Sequence, residues 1–235
     1  MRFVFRRNNV LLVFNHRMST NAKITASNKP IIQTYTFGRQ QFECILNGGS
    51  IMDILDFDTE NCLDCPFSKI NGYVLGKCYT DKFPQMRGFK AMLVGIIQQY
   101  PNWDAIPELP DTPPAELLAV CANNYIRFGT YGEPTFIPMG WVEQIVAVCK
   151  NWTGYTHQWH KQPEYSKFFM ASVHNGIEER IANDMGWRVF LIVKALTLDS
   201  NTLCPSDREN VTCQKCALCS GTTGKGQKGV KIKYH

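Results

Sequence analysis

The chain has 235 residues, of which 44% are hydrophobic and 19% charged, with ten cysteines and a formal net charge of +5. Charge is too dilute and apolar content too high for a disordered chain, and Val10 to Phe14 falls far short of the roughly 18 apolar residues a spanning helix needs. No membrane partner is expected. Met1 to Phe42 holds seven bases and no acid, Ala217 to His235 four lysines and no acid, and the stretch between them 14 bases against 20 acids. An acidic body with basic ends supports nucleic-acid binding only weakly, because an electrostatic footprint belongs on a folded face.

Residues 1–41 read as a basic, flexible extension. Met1 to Arg17 is Arg- and Asn-rich and free of acid, which is also the composition of an organelle transit peptide. A third reading starts the protein at Met18, where the sequence turns ordinary, and makes residues 1–17 an upstream artefact.

Phe42 to Leu46 is a short apolar run closed by Asn47, Gly48 and Gly49, read as a strand and turn. Met86 to Tyr100 carries apolar residues at helical spacing and stops at Pro101. Pro101 to Pro114 holds five of the twelve prolines and reads as a linker, and Pro114 to Asn123 as a short helix. An alternation follows: strand Tyr125 to Phe128, helix Trp141 to Lys150, strands Trp152 to His157 and Phe168 to Val173, helix Gly176 to Met185, strand Trp187 to Leu196, and a last strand Val230 to Tyr234. The fold class is therefore α/β: a parallel-sheet, (β/α) barrel-like domain over residues 42–200, as an incomplete barrel or an open sheet, with a cysteine-rich metal loop and final strand over 201–235.

This placement puts Arg127, Glu133, Thr156, His157, Ser172, His174 and His235 at or just after the C-terminal ends of strands. In (β/α) barrels that rim carries the active site, although loops are polar for simpler reasons too.

The cysteines carry the sharpest pattern. Cys44, Cys121 and Cys149 lie in apolar runs and read as core residues. Cys204-Pro205 followed by Cys213-x2-Cys216-x2-Cys219 can converge on one centre, since each two-residue turn brings two sulfurs to the same side. The run resembles the cluster loop of bacterial ferredoxins, with the Cys-Pro pair preceding it instead of following. Iron–sulfur and zinc both suit such a thiolate set. Cys62-x2-Cys65-Pro66 and Cys78 supply three more thiols, an incomplete cage. Its fourth ligand is either protein-derived, from Asp64 or a rim histidine, giving a structural zinc site, or absent, leaving a metal open to substrate. Seven clustered cysteines without a secretory signal point to metal in a reducing cytoplasm and not to disulfides.

The ordered series Cys62-x2-Cys65-Pro66, Cys78-Tyr79, Arg127 to Pro134, Gly154 to His157, Met170 to Ser172, Gly186 to Arg188, Cys204-Pro205 and Cys213 to Gly221 resembles an uncharacterised family of phage- and plasmid-borne cysteine-rich proteins. Its layout is distantly similar to radical S-adenosylmethionine barrels, in which three cysteines leave one iron of a [4Fe–4S] cluster free for the cofactor and further C-terminal cysteines hold an auxiliary cluster. That group's C-x3-C-x2-C spacing is not present. Gly48-Gly49 invites comparison with its glycine motif for the methionyl amine, but precedes the cysteines and reads as a turn.

The resemblance implies an iron–sulfur enzyme that uses S-adenosylmethionine, with Cys62, Cys65 and Cys78 at a reactive cluster and Cys204, Cys213, Cys216 and Cys219 at a second. Arg127 and Arg188 would then grip an anionic substrate, Glu133 and His157 move protons, and Ser172 orient a polar group. The competing expectation is a zinc-stapled binding protein without catalysis, whose basic ends, with Trp152, Tyr155 and Trp159, touch nucleic acid or a partner protein.

Overall fold

The computed structural model describes residues 1–18, 30–50, 52–69, 71–72, 78, 83–193, 202–208 and 211–233. Strands β1 (Arg2–Arg7), β2 (Val10–Met18) and β3 (Pro30–Gly38) lead into helices α1 (Arg39–Leu46), α2 (Thr59–Cys62), α3 (Phe83–Gln99) and α4 (Ala115–Cys121). Next come β4 (Tyr125–Tyr131), α5 (Met139–Val148), β5 (Asn151–Thr153), β6 (Tyr155–Thr156), β7 (Met170–Val173), α6 (Gly176–Asp184) and β8 (Val189–Val193). The chain closes with β9 (Thr202–Leu203), α7 (Pro205–Arg208), α8 (Cys213–Cys216) and β10 (Val230–Lys233).

The strands form two five-stranded sheets, ordered β1-β2-β3-β4-β5 and β6-β7-β8-β10-β9. In the first, β1, β2 and β3 pair antiparallel, and β3, β4 and β5 parallel. Every pairing of the second is parallel. Only Gly154 separates β5 from β6; its amide donates to the Cys219 carbonyl and its carbonyl accepts from the Met170 amide. A Cβ at this position would press to 2.8 Å from the Phe169 ring, so a glycine lets the strand pass from one sheet to the next.

Alternation along the strands builds a core on each face. On one, Phe14, Ile32, Ile126, Phe128, Ala171 and Val189 pack with Leu117 of α4 and Trp141 and Ile145 of α5. On the other, Val4, Leu11, Val13, Tyr35 and Phe37 pack beneath Phe42 and Ile45 of α1 and Phe89, Leu93 and Ile96 of α3. Capping fixes α6, where Asn175 Oδ1 accepts from the amides of Ile177 and Glu178 ahead of the acidic first turn.

Residues 1–18 are not a flexible arm. They form a hairpin turned at Asn8-Asn9, with Asn8 at φ 51°, a conformation asparagine tolerates better than most residues. Leu11 and Val13 are fully buried against one core and Leu12 and Phe14 against the other. The basic residues that suggested an extension tie the hairpin to the body: Arg6 Nε donates to the Ile106 carbonyl at 3.0 Å and Arg7 Nη1 to that of Phe136 at 3.0 Å. Since β3 pairs with β4, the expected boundary between residues 41 and 42 cuts through one sheet.

Phe42 to Leu46, expected as a strand, is the second half of α1, because Gln41, Phe42 and Ile45 share its buried face. Its C-terminus is closed by Gly48 at φ 83°. Helices α3 to α6 and strands β4, β7, β8 and β10 lie within a few residues of expectation, whereas Trp152 to His157, expected as one strand, is divided between the two sheets at Gly154, and α2, α7, α8, β3 and β9 were not expected. The strand ends at Leu196 and Tyr234, with Tyr79 and His235, fall outside the described residues. Among the described residues, no helix is long and apolar enough to cross a membrane.

Candidate metal centres

The first cysteine group hangs over the C-terminal ends of β3, β4, β6 and β7. Asn61 on α2 anchors it, its Nδ2 donating to the Thr36 carbonyl at 3.0 Å while its own carbonyl accepts from the Glu133 amide at 2.8 Å. The Cys65 amide returns to the Cys62 carbonyl at 3.1 Å, which is the two-residue turn that gathers the sulfurs. The Cys78 amide donates to the Phe67 carbonyl at 3.1 Å, bringing the third thiol to the same loop. Burial raises the Cys62 thiol well above its ordinary value, and the charges of Asp58, Cys65 and Cys78 add to it. Cys65 is pushed up to about 12, again chiefly by burial.

The rim residues meet this loop. Glu133, fully enclosed, accepts from Thr156 Oγ1 at 2.6 Å and from the amides of Thr135 and His157, each at 3.2 Å. Burial outweighs these bonds and lifts its carboxyl to about 7. His157 Nε2 lies 3.9 Å from Cys65 Sγ, and burial followed by the charge of His174 lowers the ring to about 3. The rings of His157 and His174 stack at 5.4 Å, with Phe67 edge-on to both. Ser172, two residues before His174 on β7, shares its side of the sheet. Ser172 Oγ, both His174 ring nitrogens, Asn61 Oδ1 and Thr36 Oγ1 are buried and find no hydrogen-bond partner among the described residues. These atoms gather around the first cysteine loop.

Asp64, expected as a candidate fourth ligand, is engaged with other side chains. Its carboxylate accepts from Gln158 Nε2 and from Lys161 Nζ, the latter at 2.7 Å, and so staples the cysteine loop to the segment after β6.

The second group lies toward the other end of the strands. Cys213 packs on Ile31 and Tyr125, at the starts of β3 and β4, whereas Cys62 packs with Tyr131 at the end of β4. Six residues of strand make that separation roughly 20 Å, so the two cysteine groups do not share one site. Cys204, Cys213, Cys216 and Cys219 line one cavity of about 20 Å³. Burial raises the Cys219 thiol far above its ordinary value, reinforced by the other three sulfurs. Ala217, at φ 51°, turns the chain after α8 and donates to the Cys213 carbonyl at 2.8 Å.

Arg188 belongs to this loop and not to the substrate rim. It precedes β8, and its guanidinium donates to the carbonyls of Leu218 at 2.9 Å, Gly221 at 3.2 Å, Lys228 at 2.6 Å, and Ser220. Every contact faces backbone, which is a clamp and not an anion grip. Arg127 lies in the middle of β4, paired with Gln33 and Thr153, below the rim. Of the aromatics expected to stack bases, Trp152 donates to the Phe168 carbonyl at 2.8 Å, Tyr155 stacks on Phe190, and Trp159 is buried. Cys121 is a core thiol as expected, whereas Cys44 and Cys149 are only partly buried.

All ten cysteines are free thiols, and among the described residues no three His, Cys, Asp or Glu side chains converge on a single point. Sequence reasoning missed Thr36, Asn61 and Gly132; Gly132, at φ 73°, brings its backbone against Thr36 and Asn61, where a Cβ would collide. Its sequence signal was a glycine immediately before the singled-out Glu133. No family model, no curated protein and no solved structure matches the chain.

Proposed function

We propose that the chain is an iron–sulfur enzyme of the radical S-adenosylmethionine kind, built on an incomplete (β/α) barrel and working in a reducing compartment. What supports this reading is that Cys62, Cys65 and Cys78, whose charges act on one another although their sulfurs do not converge on a single point, lie on one loop beside Glu133, His157 and five buried polar atoms without partners among the described residues. Cys62, Cys65 and Cys78 would hold the cluster. A cluster with one uncommitted iron supplies single electrons to a bound sulfonium cofactor.

The remaining work falls to the chain's own groups. Glu133, with a carboxyl near neutrality, holds or releases a proton at Oε2, and neutral His157 presents an uncharged nitrogen beside Cys65. Ser172 Oγ and His174 orient a polar group of the substrate through their unpaired atoms. Phe67 and the stacked imidazoles exclude water.

The second group reads as a four-thiolate centre that is closed to substrate. Zinc and an iron–sulfur cluster both suit its four thiolates.

Incubating the anaerobically purified, reduced protein with S-adenosylmethionine tests the reading. Release of 5′-deoxyadenosine or methionine, abolished in C65S, is expected; a fully reduced protein that leaves the cofactor intact would contradict it.

A further inference from the structure

From Asn210 to His235 the chain holds five lysines and no acid. A basic end argues only weakly for a polyanionic partner while it hangs loose, but this one is folded onto the body. Arg188 gathers the carbonyls of Leu218, Ser220, Gly221 and Lys228 around one guanidinium. The same segment is stitched to the turn ahead of β7: the amides of Gly221, Thr222 and Thr223 donate to the carbonyls of Phe168 at 2.9 Å, Ser166 at 2.9 Å and Lys167 at 3.1 Å, and Thr223 Oγ1 donates to the Lys167 carbonyl at 2.6 Å. Across the loop, Lys225 Nζ donates to the Lys215 carbonyl of α8 at 3.3 Å.

Four lysines therefore ride on one connected piece of backbone: Lys167, Lys215, Lys225 and Lys228, all exposed. None of them makes an ion pair among the described residues, whereas Lys69 and Lys161, beside the first cysteine group, are held by Asp56 and Asp64. Glu164 is the one acid in the described segments 163–168 and 211–233. Lys231 is buried in β10 and takes no part in this surface. Like charges fixed on a loop of set shape repel one another, and a chain of phosphates relieves that repulsion while releasing its own counterions.

The company these lysines keep narrows the partner. The cavity beneath them, lined by the four thiols, is about 20 Å³, too small for a phosphorylated metabolite. Among the described residues, no large exposed hydrophobic side chain lies in segments 163–168 or 211–233, so the surface lacks both the apolar wedge of a membrane-binding face and the anchor of a protein interface. We propose that Lys167, Lys215, Lys225 and Lys228 form a contact surface for the phosphate backbone of a nucleic acid. Trp152 and Tyr155 are engaged with Phe168 and Phe190, and Trp159 is buried, so the contact is to phosphates and not to bases. The surface goes beyond the catalytic reading and stands whichever metal the two thiol groups bind.

Fluorescence anisotropy of a labelled, mixed-sequence DNA duplex titrated with the full chain over a salt series tests the surface. The logarithm of the binding constant is expected to fall with the logarithm of salt concentration at a slope of roughly −3 to −4, about 0.9 for each lysine engaged. K215Q and K225Q, at exposed positions, each make the slope shallower by about one, while R180Q, which removes the same charge from the exposed face of α6, leaves it unchanged. Duplexes of unrelated sequence are expected to bind alike. Absence of duplex binding at low salt, equal slopes in K225Q and R180Q, a marked preference for one sequence, or binding to phosphatidylserine vesicles in place of the duplex would overturn the proposal.

Discussion

Cys65 Sγ and His157 Nε2 stand 3.9 Å apart although 92 residues separate them in the chain. The contact is made by the fold: α2 and its loop are pinned to β3 and β4 through Asn61, and His157 follows β6 by one residue. Burial holds the ring neutral.

His157 is assigned to the substrate side of the first centre and not to its ligand set. H157A should therefore retain first-centre iron while lowering cofactor cleavage by about 10²-fold, whereas C65S should lose that iron. Iron quantification of the two variants checks this. Equal loss in both would make His157 a ligand.

Glu133 gives the metal-free protein a pH dependence with a definite sign. Its carboxyl titrates near 7 in the folded chain against an ordinary 4.5, so the folded state keeps a proton that the unfolded state releases in that window. The stability this confers is full below the lower value, falls as pH rises, and is gone above the higher one, a change of about 3 kcal/mol. E133Q should flatten the fall, whatever its overall stability. Urea denaturation of both proteins at acidic and mildly alkaline pH measures the difference.

Arg188 holds the second cysteine loop by donating to four backbone carbonyls. R188M leaves buried carbonyls unpaired, each costing about 1–3 kcal/mol. Faster proteolysis within residues 204–228 and loss of second-centre metal are expected, with first-centre metal retained. Limited proteolysis with metal analysis reads both.

The N-terminal hairpin is integral. Removing residues 1–17 strips four fully buried side chains, Leu11, Leu12, Val13 and Phe14, each contributing about 1.5–3 kcal/mol by burial. Their sum approaches the whole stability of an ordinary domain. The shortened chain should lack a cooperative thermal transition by circular dichroism, and L11A alone should cost about 3 kcal/mol.

Strands β4, β7, β8 and β10 and helices α3 to α6 were legible because their apolar periodicity is clean, and the strand tips then led to Glu133 and His157. The hairpin was obscured because a run with bases and no acid resembles an arm, while register with β3, which buries Asn15 and orients Arg2, is a tertiary fact. Phe42 to Leu46 is too short for periodicity alone; Gln41 and Ile45 on the same face complete the helical pattern. Arg188 was misassigned because sequence does not reveal that its neighbours are carbonyls. The two cysteine groups were legible as groups, but their separation along β4 required the sheet.

An iron–sulfur cluster at Cys62, Cys65 and Cys78 underlies the proposed activity. Iron, acid-labile sulfide and zinc determination on anaerobically purified wild type and a C62S/C65S/C78S variant, with absorption spectra, decides whether it is there. A brown wild type whose iron, sulfide and broad charge-transfer absorption disappear in the triple variant is expected; a colourless protein with zinc at both groups would overturn the proposal.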